Sequence, residues 1–225
     1  MKKIFERNET LFCILLIVAY ILINSYCVNN FGIGDYRSAI INTIFSLSLI
    51  ILIKILKRTT YYGLTKVTNI KKYLYFFPLL LLITVNLWNG ININNSVNEI
   101  IFHIINMINV GFIEEIIFRG FLFTSLSKNS VNTAILVSSV TFGMGHIVNL
   151  INGSGANVFS NLLQVVYATA VGFLFTIIFY KSKSLWPCII THSLVNALSA
   201  ISNNGILNSS VEIIITYNSK FMEWY

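Results

Sequence analysis

Two glutamates, Glu114 and Glu115, stand side by side just before Arg119 in a stretch that is otherwise apolar. The whole chain has only 8 acidic residues. Ionisable groups at membrane depth are costly and persist where they pair or work. A helix turns about 100° per residue, so Glu115 and Arg119, four apart, stack on one face with the acid on the favoured N-terminal side. Arg119 can therefore neutralise and orient Glu115. Glu114 points about 100° away and has no obvious partner on its own helix. An uncompensated carboxylate at low dielectric holds a proton more tightly, the property a general base acting on water needs. The alternative is a buried ion-pair network that only fixes helix packing.

Two further clusters follow. Phe142-Gly143-Met144-Gly145-His146 places Phe142 and His146 on one helical face, with Gly143 and Gly145 allowing close helix approach. His192-Ser193-Leu194-Val195-Asn196 does the same for His192 and Asn196, a pair able to bind a metal or polarise a carbonyl. Alone, each histidine is more often a packing residue. Together, three apolar segments each present polar groups on one face, which is how helix bundles build sites. Two imidazoles and a carboxylate (His146, His192 and Glu114) meet the needs of metal-assisted hydrolysis, with zinc the expected divalent ion. They equally fit a metal-free scheme in which glutamate activates water and His and Asn stabilise the oxyanion. The heights disagree, however. Glu114 and His192 come out about 10–14 Å from the same-side ends of their helices and His146 about 22 Å, so span five starts late or the helices differ in tilt or offset.

Other polar residues read as structural. His103 faces the same way as Glu114 but about 16 Å along the axis, near the outer end. Gln164 either bonds into the site or joins helices. Ser193 diverges from His192 because adjacent helical residues do not face each other. No phosphate-binding glycine loop, Walker lysine or haem motif is present.

The elements that must position these groups are membrane helices. Of 225 residues, 56% are hydrophobic and 10% charged, and mean hydropathy is +0.75; soluble domains carry about 25% charge. The expected fold is an all-α polytopic membrane bundle, a single domain over 1–225 with a catalytic core at about 99–203. Apolar windows mark seven spans, at 10–28, 38–56, 73–89, 99–124, 131–147, 161–180 and 185–203, the third and fifth short. The basic N-terminus (Lys2, Lys3, Arg7) precedes an apolar run too long for a signal peptide, so it reads as a retained span. Cys13, Cys27 and Cys188 lie in or beside spans without CxxC spacing and read as small buried hydrophobes.

The net charge of +7 does not point to nucleic acid, because the cations cluster between spans. Lys54, Lys57, Arg58, Lys66, Lys71, Lys72, Lys128, Lys181 and Lys183 share a side with the N-terminus if the spans alternate, leaving Arg37 and Lys220 opposite. This bias predicts a multi-pass cell-membrane protein with a cytoplasmic N-terminus and an extracytoplasmic C-terminus. Tyr61, Tyr62 and Leu64 among the lysines of 57–72 suit a segment lying at the anionic membrane surface, or an ordinary basic loop. Residues 148–160 read as an outer, partly re-entrant loop, and the tail from Asn203 onward as too polar and short for a further span.

Glu114-Glu115-x-x-x-Arg119, Phe142-x-x-x-His146 and His192-x-x-x-Asn196 resemble the three motifs of the CPBP family, the CAAX protease and bacteriocin-processing (Abi) intramembrane proteases. Their order and spacing match over about 99–200, and Ser184-Leu185-Trp186-Pro187 resembles the run before the last motif. The resemblance implies endopeptidase chemistry inside a helical bundle. It implies Glu114 as water-activating base supported by Glu115 and Arg119, His146 and His192 as metal ligands or catalytic polar groups, and Asn196 as oxyanion or orienting group. It implies a peptide or membrane-protein substrate, without specifying a prenylated one. Two other classes compete: a non-proteolytic bacteriocin-immunity protein of the same fold, and a transporter or channel using the acids for proton coupling. No internal repeat supports the transporter.

Overall fold

The structure is a computed structural model and describes residues 8–68, 76–151 and 158–203. The expectations placed on Lys2, Lys3, Arg7, Lys71, Lys72, 152–157 and the tail with Lys220 lie outside these residues. Among the described residues, seven apolar helices correspond to the seven expected spans: α1 (Glu9–Asn30), α2 (Tyr36–Ile55), α3 (Phe77–Leu87), α4 (Val97–Leu126), α5 (Val131–Gly145), α6 (Val158–Ser182) and α7 (Trp186–Ile201). Their starts follow local chemistry. Asn8, Asp35, Ser96 and Ser130 accept backbone N–H bonds at the heads of α1, α2, α4 and α5. Ser96 and Glu99 form a reciprocal capping box. Pro78 and Pro187 sit in the first turns of α3 and α7, where their missing N–H groups cost no helical bond.

Four helices (α1, α2, α4 and α6) are long and apolar enough to cross a membrane. Helices α3, α5 and α7 are shorter. At ~1.5 Å per residue, the 15 residues of α5 reach about 22 Å, short of a ~30 Å hydrocarbon layer. The outer faces of the long helices expose Leu22, Ile44 and Val166, as lipid-facing surfaces do. Together these features make the chain an all-helical, multi-pass membrane bundle.

Helix α4 is the central post. Helices α7 and α2 pack along it, α1 meets its C-terminal half, and α5 pairs with α6. Small residues set the two tightest crossings. A Cβ on Gly111 would lie 2.7 Å from the backbone nitrogen of Ser193 on α7, and one on Gly143 would lie 1.9 Å from Thr169 Oγ1 on α6. Gly145 differs from its expected role: a Cβ there meets nothing within 4 Å, so it mediates no close crossing. Between Ile116 and Phe123, α4 widens into a π-helix whose eight residues are all buried. Such π segments are uncommon and concentrate at functional sites.

Part of the basic loop after α2 is built into the bundle. Tyr62 is fully buried, with its ring 4.3 Å from that of Phe121 and its hydroxyl donating to Glu9. Gly63 has φ +74°, and a Cβ there would overlap Phe179. The Leu185 N–H donates to Gly63 O at 2.7 Å, and Ser184 Oγ donates to Thr65 O. The loop thus locks the α6–α7 turn. All three cysteines are buried and free.

Candidate active site

Arg119 and Glu115 form the expected pair, with Nη1 donating to Oε1 at 2.8 Å and both side chains fully buried. The guanidinium lies 4.1 Å over the Phe142 ring and 5.6 Å from that of Phe175, so aromatic faces from α5 and α6 share its charge. Glu115 Oε2, Arg119 Nε and Arg119 Nη2 make no hydrogen bond among the described residues. The same Glu115 oxygen also lies 2.8 Å from His192 Nδ1. One carboxylate therefore holds the arginine of its own helix and the histidine of α7. A ring nitrogen bonded to a carboxylate carries the proton, which fixes the His192 tautomer and orientation.

His192 Nε2 then faces Glu114 Oε2 at 3.4 Å. A proton on this edge serves both atoms. Glu114 has partners across the bundle. Its Oε1 accepts a 2.6 Å hydrogen bond from the Tyr20 hydroxyl on α1. The order is Tyr20–Glu114–His192–Glu115–Arg119, spread over three helices.

His192 borders a cavity of about 210 Å³, also lined by His146, Asn196, Gln164, Asn86 and Tyr167. The histidines therefore share one chamber despite their different heights. Helix α5 starts at Val131 as expected. A late start is therefore not the reason for the mismatch, and the C-terminal end of this short helix, with His146 as C-cap, stops at the chamber. Phe142 lies edge-on to both imidazoles, with ring centroids 5.2 Å from His146 and 5.7 Å from His192. His146 Nδ1 lies 3.2 Å from Phe142 O, leaving Nε2 for other contacts. Glu114 is not in the cavity wall; it meets that wall through His192.

Of the remaining polar residues, His103 bonds Ser199 Oγ at 2.9 Å near the end of α7, and Ser193 donates to Ile108 O at 3.0 Å, both tying helices together. Two site residues went unnoticed in the sequence. Tyr20 is one tyrosine among 11, inside the apolar run from Ile14 to Ile23. Asn86 donates to Val195 O at 2.6 Å and lines the cavity from the end of α3. An asparagine so near the end of a short span was the available signal.

Among the described residues, no three His, Cys, Asp or Glu side chains converge on a position that could hold a metal ion. Glu114, His146 and His192 supply suitable atoms, but His192 spends both nitrogens on carboxylates and His146 stands apart from that pair. The arrangement shown among the described residues does not fit a zinc centre.

The comparisons with known proteins agree with the motif reading. Residues 96–198 match the family model for the type II CAAX prenyl endopeptidase, Rce1-like. Over 90 residues the chain is 32% identical to a Bacillus subtilis (strain 168) protein named "Putative membrane peptidase YdiL", covering 40% of this chain and 32% of that protein. The chain thus matches about a third of the relative's length. No solved structure matches. In motif order, helical architecture and sequence, residues 96–198 are thus similar to the Rce1-like family of CAAX-type membrane peptidases.

Proposed function

We propose that this chain is an intramembrane endopeptidase that hydrolyses a peptide bond of a membrane-associated protein or peptide, with 1–225 acting as one membrane domain and about 99–203 as its catalytic core. The observation that carries this reading is the oriented edge Glu114–His192–Glu115–Arg119 beside a cavity with carboxamides on its wall. A water where this edge meets the cavity gives a proton to Glu114 as its oxygen attacks the scissile carbonyl. Negative charge develops on that carbonyl oxygen, where Asn196 Nδ2 acts as donor beside His146 on the same wall. Glu114 then returns the proton to the leaving amine nitrogen, the C–N bond breaks, and the acyl half departs as a carboxylic acid that keeps the water's oxygen. Glu115 and Arg119 act through His192: they fix its tautomer and keep its ring on the cavity wall. Apolar residues such as Leu82 and Val171 line the rest of the chamber, which suits a substrate arriving from the bilayer.

The cation distribution supports an N-terminus in the cytoplasm and a C-terminus outside. The test is cleavage of a membrane-peptide library by the protein reconstituted in liposomes. Glu114→Gln should abolish cleavage while leaving insertion and protein level unchanged. Equal cleavage by the variant would remove Glu114 from its role.

A further inference from the structure

We infer that Tyr20, in the first span and outside the family-matched segment, is a positioning residue for the base. This rests on the proposed role of Glu114. The Tyr20 hydroxyl donates to Glu114 Oε1 at 2.6 Å, a short charge-assisted contact. Tyr20 is 4% exposed, so its hydroxyl has no ready alternative in solvent. Its ring is nearly parallel to that of Phe45 on α2, at 6° and 6.4 Å between centroids. Two helices therefore hold the phenol in place, and the phenol holds the carboxylate.

The consequence is selective. A carboxylate has two oxygens, and a carboxyl group turning freely about its bond would present either to water. With Oε1 occupied by Tyr20, Oε2 is the oxygen left toward His192 Nε2. Among the described residues, Glu114 is met by Tyr20 from α1 and His192 from α7. The first span, which carries no motif, completes the site.

The experiment uses the full chain in detergent or liposomes. Tyr20→Phe keeps the ring and removes the hydroxyl. The expected result is a fall in kcat of about 10- to 100-fold, the range for losing a hydrogen bond to a charged group, with KM within about twofold. Tyr26→Phe, on the same helix but exposed and far from Glu114, is the matched control and should leave both constants unchanged. Tyr20→Phe kinetics equal to wild type, or a loss carried by KM, would overturn the proposal. A second arm needs no activity. Position 20 is labelled with 3-fluorotyrosine, and its fluorine resonance should move on Glu114→Gln; an unmoved resonance refutes the contact. If the wild type cleaves nothing, the peptidase reading and Tyr20's role fall together, while the fluorine arm still decides the contact.

Discussion

Gly111→Ala tests whether the site depends on the closeness of α4 and α7. A Cβ on Gly111 would lie 2.7 Å from Ser193 N and 2.8 Å from Ser193 Cα, about 0.7 Å inside ordinary contact beginning near 3.4 Å. The obstructing atoms are backbone, so no rotamer change relieves the clash and the helices must part. Ser193 adjoins His192, whose Nδ1 lies 2.8 Å from Glu115 Oε1. A comparable displacement stretches that contact to about 3.5 Å, past the useful range of a hydrogen bond. Two energies compete. Alanine gains about 1 kcal/mol over glycine in a helix interior, whereas overpacking costs about 1–3 kcal/mol. The balance is a net destabilisation of up to about 2 kcal/mol. Activity should suffer more, since a misplacement near 1 Å costs up to about 100-fold. Thermal unfolding in detergent and the liposome cleavage assay measure the two effects. Gly145→Ala, with open space around it, should be neutral or slightly stabilising. A Gly111→Ala protein as stable and active as wild type would refute the packing argument.

The adjacent glutamates should separate by phenotype. Glu115→Gln leaves the buried Arg119 charge uncompensated and should cost about 3–5 kcal/mol, read as a lower unfolding midpoint and reduced protein level, whereas Glu114→Gln should stay folded and fail only in cleavage. Cleavage should survive metal chelators in metal-free buffer, as the donor arrangement implies; loss on chelation with recovery on added zinc would show that a metal acts.

Local features were legible in the sequence, and contacts between distant segments were legible only in part. All seven spans appear as apolar runs because hydropathy is a property of neighbouring residues. The Glu115–Arg119 pair was readable because four residues is one helical turn. The meeting of the three motifs rested on their order rather than on geometry, and the height mismatch of His146 shows the limit of counting residues along straight helices. Tyr20 and Glu114 lie 94 residues apart, and nothing local marks either as the other's partner. The same holds for Tyr62, whose burial depends on the space beside Phe121 rather than on its basic loop. The π segment is also invisible to periodicity. Gly145 was overread: a glycine next to another looks like a crossing point, but which one meets a neighbouring helix depends on that neighbour.

The chain order of the five linked side chains determines when each partner exists during biosynthesis. Tyr20 has been made before Glu114 leaves the ribosome, and Arg119 follows five residues later, so α4 enters the membrane with both acids able to find an early partner. His192 arrives 77 residues after Glu115. Until α7 inserts, the chamber lacks His192 and Asn196, and Glu114 lacks the imidazole it faces. On the proposed function, a nascent chain of this design would remain inert among other emerging membrane segments until α7 is in place.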